Sequence, residues 1–220
     1  MNVHRLIFKV GMARSKGTVK KRYSKEFQRS FYAASRKYFK AIAGKTPDIG
    51  KSLFAFNYAF GPAYIAWYKA ACDLGLSKED IEKILWLMNE KIITVIPGFA
   101  RSAYGKQYLD AFRKKAPLHE KCMEAGAVHP YDYLIKFLPE DNTHFGINIE
   151  RCGMRTLAAD FDALGIFPAV CRVDYMIGAY LHSGFERTKT LGDGDECCNC
   201  RYTIGGVCEW APEKGFGKRK

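Results

Sequence analysis

The period of the apolar residues changes along this chain, and that change limits what it can fold into. Ile81, Ile84, Leu85, Met88, Ile92 and Val95 recur every three to four positions, as one face of a helix does. Thr143 to Ile149 instead alternates polar and apolar, the pattern of a half-buried strand. A chain that is helical first and alternating later buries both patterns by packing helices on a small antiparallel sheet, so an α+β fold is expected.

The helical half can be divided by its start and stop signals. Phe27, Phe31, Ala34, Tyr38 and Ile42 predict a helix over about 24–43, ended by Gly44 and Pro47. Residues 52–75 are apolar on most sides and read as a buried helix kinked at Gly61-Pro62. Ser77-Lys-Glu-Asp80 is a hydroxyl cap with a carboxylate three residues on, and it opens a helix that Pro97-Gly98 stops. A further helix fits about 102–125, with Pro117 as a kink or break.

Beyond residue 130 a strand at 143–149 leads to helices over about 153–164 and 167–182, separated by Gly165. A hairpin follows, with Phe185 to Leu191 and Glu196 to Ile204 joined through Gly192-Asp-Gly-Asp195, since Asp-Gly tolerates the positive φ of a tight turn. The expected organisation is a loose basic arm at 1–23, a helical region at 24–130, an α+β region at 131–204 and a basic, fraying tail at 205–220, with 24–204 one compact unit.

Charge is distributed unevenly. The net charge is +12, and residues 1–45 hold thirteen of the 35 Lys/Arg but only one acid, Glu26, so the remainder is neutral. Such an arm fits nucleic acid, an anionic surface or an organelle transit peptide, or is simply a solvated extension. No nucleic-acid motif accompanies it, so nucleic acid is not the expected partner. The longest apolar candidate for a membrane span, Leu53 to Leu76, is interrupted by Gly61-Pro62, Lys69 and Asp73, and no secretory pattern opens the chain. A cytoplasmic protein without a membrane span is expected, and its eight cysteines then read as thiols or ligands rather than disulfides.

Chemistry concentrates in the last third. Cys171 and Asp174 stand one helical turn apart, on one face. Along the second hairpin strand Cys198, Cys200 and Tyr202 face one way, and Cys197, Asn199 and Arg201 the other. If the helix packs on that sheet, Cys171 and Asp174 approach Cys198, with Cys152 at the end of the first strand as a further candidate. A lone cysteine more often only fills space, and Cys72 and Cys122 are read so. Cys197-x-x-Cys200 with Cys208 nearby has the spacing of a zinc or iron–sulfur site. In a strand, however, that pair faces opposite sides, and no second such pair exists. No cofactor is therefore expected, with a metal as the alternative.

Residues 147–202 carry a resemblance. Ile-Asn-Ile-Glu-Arg-Cys152 is followed by Cys171-Arg-Val-Asp174, then Arg187-Thr-Lys-Thr190-Leu, then Gly194 and Cys198-Asn-Cys-Arg201-Tyr202. This run resembles the L-2-amino-thiazoline-4-carboxylic acid hydrolase family, whose pattern is a Cys after a strand, Cys-x-x-Asp, Arg-Thr-x-Thr-Leu, and a Cys-Asp-Phe-Arg-Phe strand. Asn199 stands where the pattern has Asp, and Cys200 where it has Phe.

The resemblance implies hydrolytic opening of a small cyclic amidine-like substrate to N-carbamoyl-L-cysteine. Cys171 or Cys198 would serve as nucleophile. Asp174 would hold the amidinium or a water, because a carboxylate beside Cys171 opposes a free thiolate there. Arg187 or Arg201 would pair with the substrate carboxylate, and Thr190, Cys152 and His144 complete the candidate substrate contacts. The other reading is a module that binds a small ligand or metal, or senses redox state, without catalysis.

Overall fold

In the computed structural model the described residues are 3–139, 141, 143–167 and 169–208. They fall into two compact units interleaved in sequence. The first comprises Met1–Asp48, Phe56–Val95 and Met154–Val170; the second comprises Ile49–Ala55, Ile96–Gly153 and Cys171–Lys220.

The first unit is built of helices α1 (Val3–Arg22), α2 (Lys25–Ala43), α4 (Gly61–Asp73) and α5 (Lys78–Ile93), with a short turn of helix, α3 (Ala55–Tyr58), leading into α4. Ser24 and Ser77 cap α2 and α5, their hydroxyls accepting from Phe27 N and Asp80 N. Gly61-Pro62 starts a new helix rather than kinking an existing one: Pro62 sits in the first turn of α4, where its missing N–H costs nothing. Trp67, Phe31, Ile65, Ile84, Leu85 and Met88 are fully buried and form the core. The helix α7 (Gly153–Ala159) adds Leu157.

Residues 3–22, read from the sequence as a loose arm, form a packed helix instead. Ile7, Phe8, Gly11, Met12, Ser15 and Val19 line its inner face, and Phe8 stacks on Phe39 with ring centroids 4.1 Å apart. Gly11 and Ser15 occupy a third of that face, which hides it from an apolar-periodicity reading.

The second unit holds the sheet. Strands β1 (Leu134–Leu138), β2 (His144–Arg151), β3 (Gly184–Glu186) and β4 (Cys198–Thr203) lie in the order β1-β2-β4-β3, every neighbour antiparallel. Helix α6 (Arg101–Glu124) carries Pro117 without a break, and its Phe112 stacks on Phe145 of β2. Helix α8 (Val173–Tyr180) packs on β3, and the chain turns away from it at His182, whose φ is +53°. A helical first half followed by an antiparallel sheet packed with helices is the α+β arrangement expected.

The expected hairpin is shorter than its sequence pattern. Strand β3 stops at Glu186 because the following N–H groups are taken by side chains: Asn199 Oδ1 accepts from Thr188 N at 3.0 Å and Lys189 N at 2.7 Å, and Asp195 Oδ2 accepts from Thr190 N at 2.8 Å. Gly192-Asp-Gly does turn, as a single 3-10 turn over Leu191–Asp193 with Gly194 at φ +95°. Of the expected tail, residues 209–220 lie outside those described.

Candidate active site

The site lies within the second unit. Cys171 precedes α8, and Asp174 lies in its first turn. Arg187 follows β3, Thr190 caps the 3-10 turn, Cys198 opens β4, and Cys152 follows β2. Register explains why these distant segments meet. Ile149 pairs with Cys198 and Ile147 with Cys200, so the end of β2 and the start of β4 are adjacent.

Arg187 is the electrostatic centre. Only 6% exposed, it donates from Nη1 to Asp174 Oδ2 at 3.0 Å and from Nη2 to the Cys171 carbonyl at 2.6 Å. Tyr175 donates its hydroxyl to the Arg187 carbonyl at 2.9 Å and fixes the same segment. Burial raises the Asp174 carboxyl above its ordinary value, and Arg187 opposes that rise. Arg187 is held protonated by Asp174 against the desolvation that opposes its charge.

Thr190, fully buried, stands between the cysteines. Its Oγ1 is 3.3 Å from Cys198 Sγ and accepts from Gly192 N at 3.3 Å. Cys198 Sγ also accepts from Leu191 N at 3.2 Å. Cys171 lies near Thr190, Cys198 and Cys152. Burial pushes the Cys171 thiol up to about 12, with Arg187 opposing, so Cys171 is a neutral thiol at ordinary pH. Cys200, inside the same face, is pushed up as well, mainly by burial.

Two residues that the sequence reading missed hold this loop. Arg172, 1% exposed, grips both oxygens of Asp193, at 3.2 and 2.9 Å. The pair ties the start of α8 to the 3-10 turn beside Cys198. The only sequence signal was an Arg inside the Cys-x-x-Asp run, and an Arg on a helix reads by default as surface.

Other expected residues lie elsewhere. Arg201 is on the opposite face of β4, its Nη1 bonded to the Ile147 carbonyl, Asn148 Oδ1 and the Cys200 carbonyl. His144 pairs with Thr203 at the far end of β4, about 17 Å along the strand from Cys198. Its ring is exposed and sits 3.1 Å from Asp141 Oδ2, while the Thr143 and His144 N–H groups hold the Asp141 carboxyl well below its usual range. Cys122 is half-buried and Cys72 exposed, so Cys72 fills no core space.

Asp174 also opens onto a small, partly open cleft walled by Tyr108, Ile177, Leu181, Phe185 and Tyr202. It is the one charged residue among the described lining residues, and its side chain remains 37% exposed. Cys171 and Cys198 do not line this cleft. Among the described residues no three His, Cys, Asp or Glu are arranged to hold a metal ion, and no helix is long and apolar enough to cross a membrane.

Residues 56–202 match the family model for L-2-amino-thiazoline-4-carboxylic acid hydrolase. No curated protein and no solved structure matches the chain.

Proposed function

Since the chain belongs to the L-2-amino-thiazoline-4-carboxylic acid hydrolase family, we propose that it opens a small cyclic amidine-like substrate by hydrolysis at its Cys/Asp site. The observation that carries this reading is the Arg187 bridge. One buried cation holds Asp174 at the cleft and the backbone of Cys171 beside Thr190 and Cys198.

In this reading the substrate amidinium lies against Asp174, whose charge it complements. The Cys198 sulfur, as thiolate, attacks the amidine carbon and the ring carbon–sulfur bond breaks. The departing ring sulfur takes its proton from the neutral Cys171 thiol. Water then adds to the enzyme-bound carbon, the Cys198 sulfur leaves, and the urea of the N-carbamoyl product forms. Two protons are released in this step: one returns to Cys171, and the other, brought in on the substrate amidinium, passes to solvent, so one water is consumed per turnover.

The separation of the cysteines from the cleft wall favours a second route, in which water held at Asp174 attacks directly. The experiment is turnover of 2-amino-thiazoline-4-carboxylate followed by mass, in wild type and in Cys198→Ser, Cys171→Ser and Asp174→Asn. Loss of turnover in Cys198→Ser, with an enzyme-bound adduct at Cys198 in wild type, supports the covalent route. Retained turnover in Cys198→Ser with loss in Asp174→Asn supports direct attack. No turnover by folded, reduced wild type sinks this substrate and leaves the ligand-binding module as the better reading.

A further inference from the structure

The first 45 residues hold the entire positive excess of the chain, and the proposed hydrolase site uses none of it. All thirteen of their Lys and Arg residues are exposed, and all but Lys45 lie in two consecutive helices of the first unit. Within α1, Arg5, Lys9, Lys16 and Lys20 stand at i, i+4, i+11 and i+15. Within α2, Lys25, Arg29, Arg36 and Lys40 repeat the same spacing. At 3.6 residues per turn these positions fall within about 60° of arc, so each helix carries a straight line of four cations about 22 Å long. Buried side chains on the adjoining face of each helix fix both lines to the core: Phe8, Met12 and Val19 for α1, and Phe31, Phe39 and Ile42 for α2.

A merely solvated helix face mixes signs, as α5 does with Lys78, Glu79, Asp80, Lys83, Glu90 and Lys91. Here Glu26 is the one acid, and among the described residues none of the eight cations forms an ion pair. We propose that these two cation lines bind the phosphate backbone of nucleic acid, without reading its sequence. A length of duplex of about 22 Å carries roughly 13 phosphates on its two strands together, against the four cations of one line. A lipid surface is the poorer match, because a helix lying on a membrane also needs an apolar face towards it. The exposed large apolar residues of α1 are Val3 and Leu6, both in its first turn, and α2 has none.

The test measures binding of the full chain to a fluorescent 20-base-pair DNA duplex from 50 to 200 mM salt. Eight phosphate contacts predict a log–log slope of about −7, a loss of roughly 10⁴ in affinity over that range. Replacing Arg5, Lys9, Lys16 and Lys20 together by Gln, or Lys25, Arg29, Arg36 and Lys40 together by Gln, should bring the slope to about −3.5. The control replaces four exposed lysines of α6, Lys106, Lys114, Lys115 and Lys121, by Gln, removing the same charge elsewhere, with circular dichroism melts to establish folding. A retained slope in the control and a halved slope in either line variant establishes the proposal. No binding at 50 mM salt, an equal effect of the control, or capture by phosphatidylserine vesicles in preference to DNA overturns it.

Discussion

Arg187 joins both ends of the Cys171-Arg-Val-Asp174 run, donating to the Asp174 carboxylate at 3.0 Å and to the Cys171 carbonyl at 2.6 Å. A thiol and a carboxylate one turn apart would otherwise repel when both are charged. The shared cation keeps the carboxylate ionisable, while burial keeps the thiol neutral.

Replacing Arg187 by Met should therefore cost more than the lost bonds. It strands Asp174 beside a buried apolar chain and frees the Cys171 carbonyl. Breaking a buried pair costs about 3–5 kcal/mol, and the 37% exposure of Asp174 brings the expected loss down to about 2–3 kcal/mol. Urea denaturation midpoints at pH 7 measure it, and Arg187→Met/Asp174→Asn should recover part of the loss.

The Cys171 thiol has a folded-state pKa near 12, against an ordinary 9.0. The folded state therefore keeps this proton where the unfolded chain has released it. The resulting stabilisation is complete below pH 9 and is lost as pH rises from 9 towards 12. Between pH 9 and 10.5 wild type should lose at most about 2 kcal/mol more than Cys171→Ser, measured by denaturation at both values. Iodoacetamide at pH 7.5 should label exposed Cys72 well before Cys171, read by peptide mass.

Much of this site could be read from the sequence because its parts obey short-range rules. The faces of Cys198, Cys200 and Tyr202 follow from strand alternation, and the Asp-Gly turn from its φ requirement. Helices α2 and α5 followed from their caps and period. What stayed hidden depends on tertiary context. Strand β1, Leu-Ile-Lys-Phe-Leu, does not alternate cleanly and is defined by its pairing with β2. The early end of β3 is set by Asn199 and Asp195 side chains reaching across a loop. Arg172 and Asp193 lie 21 residues apart, and nothing local marks them as partners.

That Arg172–Asp193 pair makes an asymmetric prediction. Asp193→Ala takes the carboxylate away from a fully buried guanidinium and should cost about 3–5 kcal/mol. Arg172→Met leaves a carboxylate that is 20% exposed and can reach water, and Met fills much of the Arg volume, so about 1–2 kcal/mol is expected. Chemical denaturation of the two variants compares them, and a larger loss for Arg172→Met would contradict this account of the pair.

Thr190 separates packing from chemistry. Thr190→Val keeps the shape but removes the hydroxyl that touches Cys198 Sγ and accepts from Gly192 N. Under the proposed hydrolysis, kcat should fall about 10- to 100-fold, the equivalent of one lost hydrogen bond at the reacting sulfur. KM should change little, and Thr190→Ser should recover most of the rate. Equal losses in Val and Ser variants would point to packing alone.

Gly11 tests whether α1 is an integral helix. A Cβ there would meet Trp67 Cη2 at 2.6 Å and Cζ2 at 2.7 Å, and Trp67 is fully buried with no room to retreat. Gly11→Ala should therefore destabilise the chain by about 1–3 kcal/mol, although alanine favours helices. Gly17, also in α1, has nothing within 4 Å of its Cβ position, so Gly17→Ala should be neutral or stabilising by up to about 1 kcal/mol. Thermal melts of the two variants give opposite signs if α1 is packed as described. Two equal, small effects would mean that residues 3–22 contribute little to the folded core, and the cation line on α1 would then lose the rigid support that its binding geometry requires.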